Sequence, residues 1–250
     1  GITSRWLRYQ VKNLLPLIGA VPEYLPEEIR QRQQLIGIHE AIRIVRFPDS
    51  PEALAAAQKR LRFDELFFLQ LAALVRRRDH QQHAAYPLII SNQKLKTLIE
   101  KIPFALTRAQ QRALEEIRQD MARIVPMNRL LQGDVGSGKS AVALLATQIA
   151  LQAGYQTLYL APTEILARQQ AERFAQTLGN EHVALLVGAL KEHEKKAIKQ
   201  RLQTSEPFCV VGTHALLQED VKTTCLGLVI IDEQHRFCVA QRARLAATHP

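Results

Sequence analysis

The eight residues GDVGSGKS, at positions 133–140, restrict the fold of this chain more than any other stretch. They fit the pattern G-x-x-x-x-G-K-[S/T] and stand between an apolar run and a helical pattern, the context that a phosphate-binding loop requires. Three glycines let the backbone turn with its N–H groups pointing at phosphate oxygens. The alternative is a glycine-rich turn with an incidental lysine. The predicted nucleotide-binding residues are Gly133, Asp134, Val135, Gly136, Ser137, Gly138, Lys139 and Ser140.

After Pro103 the sequence alternates short apolar runs with amphipathic helical patterns. This rhythm predicts an α/β fold: a parallel sheet with helices on both faces, which binds ligands at the carboxyl ends of its strands. We predict this domain over residues 104–250. The predicted strands are residues 129–132, 157–161, 183–187, 208–212 and 226–231.

The first hundred residues have helical patterns instead, and we predict an α-helical region over residues 1–103. Ser50 and Pro51 have the character of an N-cap and a first helical residue. They precede the longest helical pattern in the chain, which contains a candidate break near Phe63 and Asp64.

The last predicted strand ends in polar residues, in the sequence LVIIDEQHRF. Buried carboxylates are costly unless they have partners, and a nearby phosphate loop would supply a metal and a nucleotide. Lys139 is then expected to reach the β- and γ-phosphates of ATP, while Ser140 and Asp232 hold Mg²⁺. Glu233 is placed to orient and deprotonate the attacking water, so the predicted catalytic residues are Lys139, Asp232 and Glu233. Both acids could instead cap the next helix.

Phe104 and Gln110 precede the phosphate loop and are candidate adenine-binding residues. An aromatic ring can stack on the base, and an amide can pair with the edge of adenine. Thr107 and Gln110 also have the spacing of a helix capping box, and both roles can hold together.

The formal net charge of +9 and the sequence pI of about 9.7 favour a polyanionic partner, although the charge is spread along the chain. No apolar run approaches the roughly 20 residues that span a bilayer, which predicts a protein without a membrane anchor. Three cysteines without paired spacing favour a reducing cytosol. Because the chain begins with Gly, we expect it to be an excerpt of a longer protein.

The residues DEQH at positions 232–235 resemble the second motif of superfamily 2 helicases, in which the last residue links the nucleotide site to DNA-contacting parts. The resemblance assigns this coupling role to Gln234 and His235. LAPTEILARQ and VGTHALLQ resemble two motifs of that family that grip one DNA strand, although each could be an ordinary helix start. The DNA-binding residues that this resemblance implies are Pro162, Thr163, Gly212, Thr213 and His214.

Together with Gln241 and Arg242, these motifs resemble the RecG-type branch-migrating DNA helicases, bacterial rescuers of stalled replication forks. The resemblance is close over residues 104–250 and implies a RecA-like P-loop NTPase domain, the first motor domain of such a helicase. The helical region resembles the linker between wedge and motor. Two positions depart from the family pattern, with Cys238 in place of Gly and Gln170 in place of His.

The resemblance also implies partners and a location. An upstream wedge domain, a downstream second motor domain, branched or forked DNA and single-stranded DNA-binding protein are the expected partners, in the bacterial cytoplasm with the nucleoid. Without the second motor domain, we expect this chain to bind ATP·Mg²⁺ weakly, hydrolyse it slowly and unwind nothing. Three alternatives stay open: a related transcription–repair coupling or primosomal helicase, a nucleotide-dependent DNA-binding or scaffold module without translocation, and a metabolite kinase.

Overall fold

A computed structural model of the chain describes residues 3–134 and 136–233. The chain divides into two compact units between Asp79 and His80. The helices of the first unit are α1 (Ser4–Leu14), a short 3₁₀ helix (Leu15–Ala20), α2 (Glu27–Gln33), α3 (Ile38–Arg46) and α4 (Pro51–Gln82), whose last residues extend past the division.

Helix α4 begins where the sequence predicts. The hydroxyl of Ser50 accepts a hydrogen bond from the Ala53 N–H at 3.1 Å, and Pro51 occupies the first helical position. The candidate break near Phe63 and Asp64 is wrong, because α4 runs without interruption through both residues.

A buried arginine ties the first unit together. The Arg60 guanidinium is fully buried and donates to Asp64 at 2.9 Å, to Glu23 at 2.6 Å and to the Ile36 carbonyl at 2.7 Å. Tyr24 donates to Asp64 at 2.6 Å from the other side. Since a buried charge is tolerated only when it is paired, these contacts fix the segment before α2 against α4.

The second unit contains α5 (Asn92–Glu100), α6 (Arg108–Met121), α7 (Lys139–Gln152), α8 (Glu164–Leu178) and α9 (Glu192–Leu202). Its strands are β1 (Gln156–Leu160), β2 (Val183–Leu186), β3 (Cys209–Gly212) and β4 (Leu226–Ile231). Short 3₁₀ helices cover Asn180–His182 and His214–Leu217. Among the described residues, no helix has the length and apolar character needed to cross a bilayer.

In the described part of the chain, β1 to β4 form one sheet in the order β2-β3-β1-β4, and each neighbouring pair is parallel. Helices cover both faces of the sheet, and successive side chains of β1 point alternately to the two faces. Leu158 and Leu160 pack with Leu202 of α9 on one face, whereas Tyr159 packs with Leu144 of α7 and Phe174 of α8 on the other. The predicted α/β fold, with a parallel sheet and helices on both faces after a helical region, is confirmed.

The predicted strand at residues 129–132 is not a strand of this sheet. The Arg129 guanidinium pairs with Asp120 of α6 at 2.6 Å, and the Leu130 side chain is 70 % exposed. Only Leu131 packs against the core, so the segment lacks the two-sided burial of a central strand.

The division between the units also lies earlier than the predicted boundary at residue 103. Leu88, Ile90, Leu98 and Ile102 are buried in the same cluster as α7. This segment therefore belongs to the hydrophobic core of the sheet-containing unit, although its sequence pattern is helical. The functional assignment of the two regions stays a prediction.

Candidate nucleotide-binding site

Polar segments follow three of the parallel strands at the same edge of the sheet. The backbone ladder continues past the strand ends, because the Asp232 N–H donates to the Leu160 carbonyl at 2.9 Å and the Ala161 N–H donates to the Gly212 carbonyl at 2.8 Å. The edge thus carries the continuations of β1, β3 and β4, where ligands of parallel sheets bind.

The phosphate loop lies toward the same edge. Helix α7 starts at Lys139 and ends at Gln152, and only three residues separate it from β1, which begins at Gln156. The helix packs against β1 and β4, so this short connection makes it antiparallel to the strands. Its first residues therefore lie at the carboxyl edge of the sheet, the edge that carries Asp232.

Within the loop, the glycines have the conformations that the pattern requires. Gly136 has φ 82° and Gly138 has φ 79°, in the left-handed region that favours glycine. A Cβ on Gly133 would lie 2.7 Å from the Ser137 hydroxyl oxygen, so a side chain there would require the Ser137 hydroxyl to move. The Ser137 N–H donates to the Asp134 carbonyl at 3.1 Å. Val135 lies outside the described residues.

The Lys139 side chain folds back over its own loop. Its ammonium group donates to the carbonyls of Gly133 at 2.7 Å and Asp134 at 2.8 Å. Ser140 follows it in the first turn of α7, a helix whose N-terminus favours negative charge. An ammonium, backbone N–H groups and a hydroxyl together form a donor set that fits a triphosphate and its metal.

Gln110 contacts the phosphate loop directly. Its amide oxygen accepts from the Thr107 N–H at 2.8 Å, and its amide nitrogen donates to the Ser137 carbonyl at 2.8 Å. The Thr107 hydroxyl accepts from the Gln110 N–H, so the predicted capping box is present. Phe104 is 52 % exposed in the segment before α6. The adenine role of both residues stays a prediction.

The Asp232 carboxylate is held from two directions. One oxygen accepts from the Tyr159 hydroxyl at 3.1 Å, and the other accepts from the Glu233 N–H at 3.0 Å. Tyr159 in turn accepts from the Gln170 amide nitrogen at 3.1 Å. Glu233 has φ 48°, a left-handed conformation that is uncommon for a residue with a side chain. Neither acid belongs to a helix in the described part of the chain.

Burial, and then the charge of Asp232, raise the pKa of the Tyr159 phenol far above its usual value of 10. The hydroxyl is therefore protonated at neutral pH and donates to the carboxylate. Sequence reasoning missed this residue, because a tyrosine within an apolar strand has the pattern of an ordinary core residue. The contact depends on the pairing of β1 with β4, which are parallel neighbours in the sheet. This pairing places Tyr159, near the carboxyl end of β1, beside Asp232, which follows the carboxyl end of β4.

The predicted DNA-binding residues lie on the continuations of β1 and β3. Thr163 caps α8, since its hydroxyl accepts from the Leu166 N–H at 3.3 Å, and Pro162 precedes it. A Cβ on Gly212 would lie 2.3 Å from the Leu186 carbonyl oxygen, so that position requires glycine. Thr213 precedes the 3₁₀ helix that begins at His214, an exposed residue.

His214 also lines an open cavity of about 680 Å³ beside α9. Two α9 lysines in its lining are paired, Lys195 with Glu192 at 2.8 Å and Lys199 with Asp220 at 2.6 Å. The predicted coupling residues Gln234 and His235, and the departure at Cys238, lie outside the described residues.

Comparison with known proteins supplies the family. The model of the DEAD/DEAH box helicase family matches residues 107–249, more than half of the chain. The ATP-dependent DNA helicase RecG of Thermotoga maritima is 45 % identical over 98 % of this chain and 32 % of its own length. RecG of Bacillus subtilis is 40 % identical over 98 % of this chain and 36 % of its own length.

A solved structure described as RecG bound to a three-way DNA junction matches with a TM-score of 0.79 and 44 % identity. The match covers 95 % of this chain and 33 % of that chain, so this sequence spans about a third of its relatives. The similarity to RecG-type helicases that the motifs indicated is confirmed over nearly the whole sequence. Because the family model matches more than half of its residues, the chain belongs to the DEAD/DEAH box helicase family.

Proposed function

We propose that this chain is the ATP-binding and ATP-hydrolysing motor lobe of a longer DNA helicase that remodels branched DNA, such as stalled forks and Holliday junctions. One observation carries the proposal: helix α7, which begins at Lys139, packs against strand β4, whose carboxyl end continues into Asp232 and Glu233. Parallel sheets of nucleotide hydrolases need this arrangement of a phosphate loop and acids.

The proposed roles follow from the chemistry of each group. The loop amides and the Lys139 ammonium hold the phosphates, and Lys139 exchanges the carbonyls of Gly133 and Asp134 for phosphate oxygens when it does so. Ser140 and Asp232 hold Mg²⁺, and Glu233 accepts the proton of the attacking water at its carboxylate. Bound ATP·Mg²⁺ supplies the phosphoryl group and the positive charge that stabilises its transfer.

The proposed DNA contacts lie at the same edge of the sheet. Pro162 and Thr163 follow β1, and residues 212–214 end or follow β3, so both segments border the proposed nucleotide site. The N-terminus of α8 and the threonine hydroxyls are suitable donors to DNA phosphates. A relative that is described as bound to a three-way DNA junction supports branched DNA as the substrate. Gln234 and His235 are the proposed links between the two sites.

The rest of the motor is proposed to lie in the longer protein. The chain spans about a third of the length of its RecG relatives. We therefore propose that the longer protein also contains an upstream wedge domain and a downstream second motor domain. Single-stranded DNA-binding protein is a further proposed partner, in the bacterial cytoplasm with the nucleoid. The chain alone should bind ATP·Mg²⁺ weakly and hydrolyse it slowly, because a second domain contributes orders of magnitude to such rates.

Two measurements test the proposal. Binding of a fluorescent ATP analogue to the 250-residue chain should require Lys139 and should become tighter when Mg²⁺ is added, and Lys196→Ala, which changes an exposed lysine on α9, should leave it unchanged. ATP hydrolysis by the longer protein should rise when forked DNA is added, and Glu233→Gln should lower the rate by about 100-fold or more while binding persists.

The outcomes separate the alternatives. Nucleotide binding that does not depend on Lys139 would contradict the site itself. An ATP hydrolysis rate that does not change when forked DNA is added would favour a nucleotide-dependent scaffold over a translocase. A translocase must couple ATP hydrolysis to DNA binding.

A further inference from the structure

Asp232 is connected to helix α8 by two buried side chains. The Tyr159 hydroxyl donates to Asp232 at 3.1 Å and accepts from Gln170 of α8 at 3.1 Å. Tyr159 is 2 % exposed and Gln170 is 6 % exposed. Buried polar groups are costly unless they are hydrogen-bonded, so these contacts determine where both polar groups point.

Packing restricts the tyrosine ring as well. It makes an edge contact with the Phe174 ring, with centroids 5.3 Å apart, and belongs to the same buried cluster as Leu144 and Ala161. A ring fixed in this way holds its hydroxyl oxygen within hydrogen-bond distance of the Asp232 carboxylate.

Both oxygens of Asp232 have a donor, Tyr159 on one and the Glu233 N–H on the other. An ionised carboxylate offers about four acceptor sites, so the donors from residues 3–134 and 136–233 leave two positions that could accept from metal-bound water. The two donors fix the rotation of the carboxyl group and therefore the direction in which its remaining lone pairs point.

We propose that Tyr159 and Gln170 are positioning residues that orient the Asp232 carboxylate toward Mg²⁺, and that they connect this carboxylate to the helix that carries the proposed DNA contact. This inference deepens the proposed function and rests on it. Mg²⁺ demands near-ideal octahedral geometry, so a carboxylate that can rotate binds it less well. Partners of metal-binding carboxylates contribute about 10–100-fold to metal affinity in known sites.

The test measures metal dependence rather than turnover. A fluorescent ATP analogue is bound to the 250-residue chain while Mg²⁺ is titrated, for wild type, Tyr159→Phe, Gln170→Met and the double variant. Tyr159→Phe keeps the ring and its packing but removes the hydroxyl. It should raise the Mg²⁺ concentration for half-maximal binding by about tenfold and leave metal-free binding unchanged.

Gln170→Met acts on Asp232 only through Tyr159. It should raise the Mg²⁺ midpoint by about threefold, and the double variant should match Tyr159→Phe, because residues of one hydrogen-bonded chain are not additive. Tyr155→Phe is the matched control: Tyr155 precedes the amino end of β1, stacks on Tyr86 and should leave the midpoint unchanged.

Two results would overturn the inference. A Mg²⁺ midpoint for Tyr159→Phe within twofold of wild type would show that the hydroxyl does not position Asp232. Equal losses of metal-free and metal-dependent binding would show a general structural role. If the wild-type chain binds no nucleotide through Lys139, the proposed function fails and this inference fails with it.

Discussion

The ammonium nitrogen of Lys139 lies 2.7 Å from the carbonyl oxygen of Gly133, at the opposite end of the same loop. With its second bond to Asp134, this contact closes the loop on its own lysine. A bound phosphate would compete for the same ammonium group, so the lysine must exchange two neutral acceptors for charged ones. Bonds to charged acceptors are the stronger, which favours the exchange.

Lys139→Ala should therefore weaken nucleotide binding without unfolding the chain. The variant loses charge-assisted bonds worth about 1.5–3 kcal/mol each, which predicts a fall in affinity of at least tenfold. Titration with a fluorescent ATP analogue measures it, and thermal unfolding should show that the second unit remains folded. Lys139→Arg is a useful companion, because it keeps the charge but not the compact ammonium, and it should restore little of the binding.

Gln110 supports a second prediction, since it joins the capping box to the phosphate loop. Thr107→Ala removes the cap of α6 and should lower the free energy of unfolding by about 1 kcal/mol, with nucleotide affinity little changed. Gln110→Glu keeps an acceptor for the Thr107 N–H but loses the donor to Ser137 and adds a negative charge near the phosphates. It should weaken ATP binding while preserving stability. Equal effects of both changes on binding would contradict this separation.

A third prediction separates the two roles of Thr163. Its hydroxyl oxygen caps α8, while its hydrogen is proposed to donate to a DNA phosphate. Asp is also a good N-cap but carries a negative charge and no donor, so Thr163→Asp should keep helix stability and weaken binding to forked DNA. Fluorescence anisotropy with labelled forked DNA at low salt should show that the affinity for DNA falls by about tenfold or more.

The matched control for Thr163→Asp is Ser91→Asp, at the N-cap of α5, where the serine hydroxyl accepts from the Lys94 N–H at 3.2 Å. This variant adds the same charge to a capping position outside the proposed DNA contacts, so DNA affinity should change little. Equal losses for the two variants would indicate a general effect of charge rather than a contact at Thr163.

The elements that sequence reasoning located correctly are those whose pattern reflects burial. The last four predicted strands are apolar runs, and each became a strand of the sheet because both of its faces are covered. The strand prediction at residues 129–132 was wrong, because an apolar run shows which residues can be buried but not which elements cover them. Likewise, the segment at residues 80–103 has helical patterning but packs with the second unit, and no local signal records that partner.

The residues that sequence reasoning missed are polar groups whose partners are distant in the chain. Arg60 has the pattern of a solvated helix residue, and it is buried only because Glu23 and Asp64 surround it. Tyr159 contacts a residue 73 positions away. The phosphate loop was found because its glycines and lysine act within eight consecutive residues, whereas these contacts require the tertiary fold.

The buried arginine gives the last prediction, which concerns acid stability. The hydrogen bond from Arg60 lowers the pKa of the Glu23 carboxyl from its usual 4.5 to about 2. A carboxyl whose pKa is lower in the folded state stabilises that state fully above pH 4.5, and this contribution is lost as the pH falls toward 2. Glu23→Gln should therefore be less stable than wild type at neutral pH and should lose less stability on acidification.

Trp6, the only tryptophan in the sequence, lies in the first unit, so its fluorescence during urea unfolding between pH 7 and pH 2 reports on the unit that contains Glu23. Glu115→Gln is the matched control, because Arg118 likewise lowers the pKa of Glu115 to about 2, but in the second unit. Its Trp6 transition should follow wild type at every pH. If Glu23→Gln instead follows wild type, the Arg60 contact does not stabilise the first unit.

Arg60→Met should lower the free energy of unfolding by about 3–5 kcal/mol, more than Glu23→Gln does. The reason is that it leaves both Glu23 and Asp64 without their buried partner.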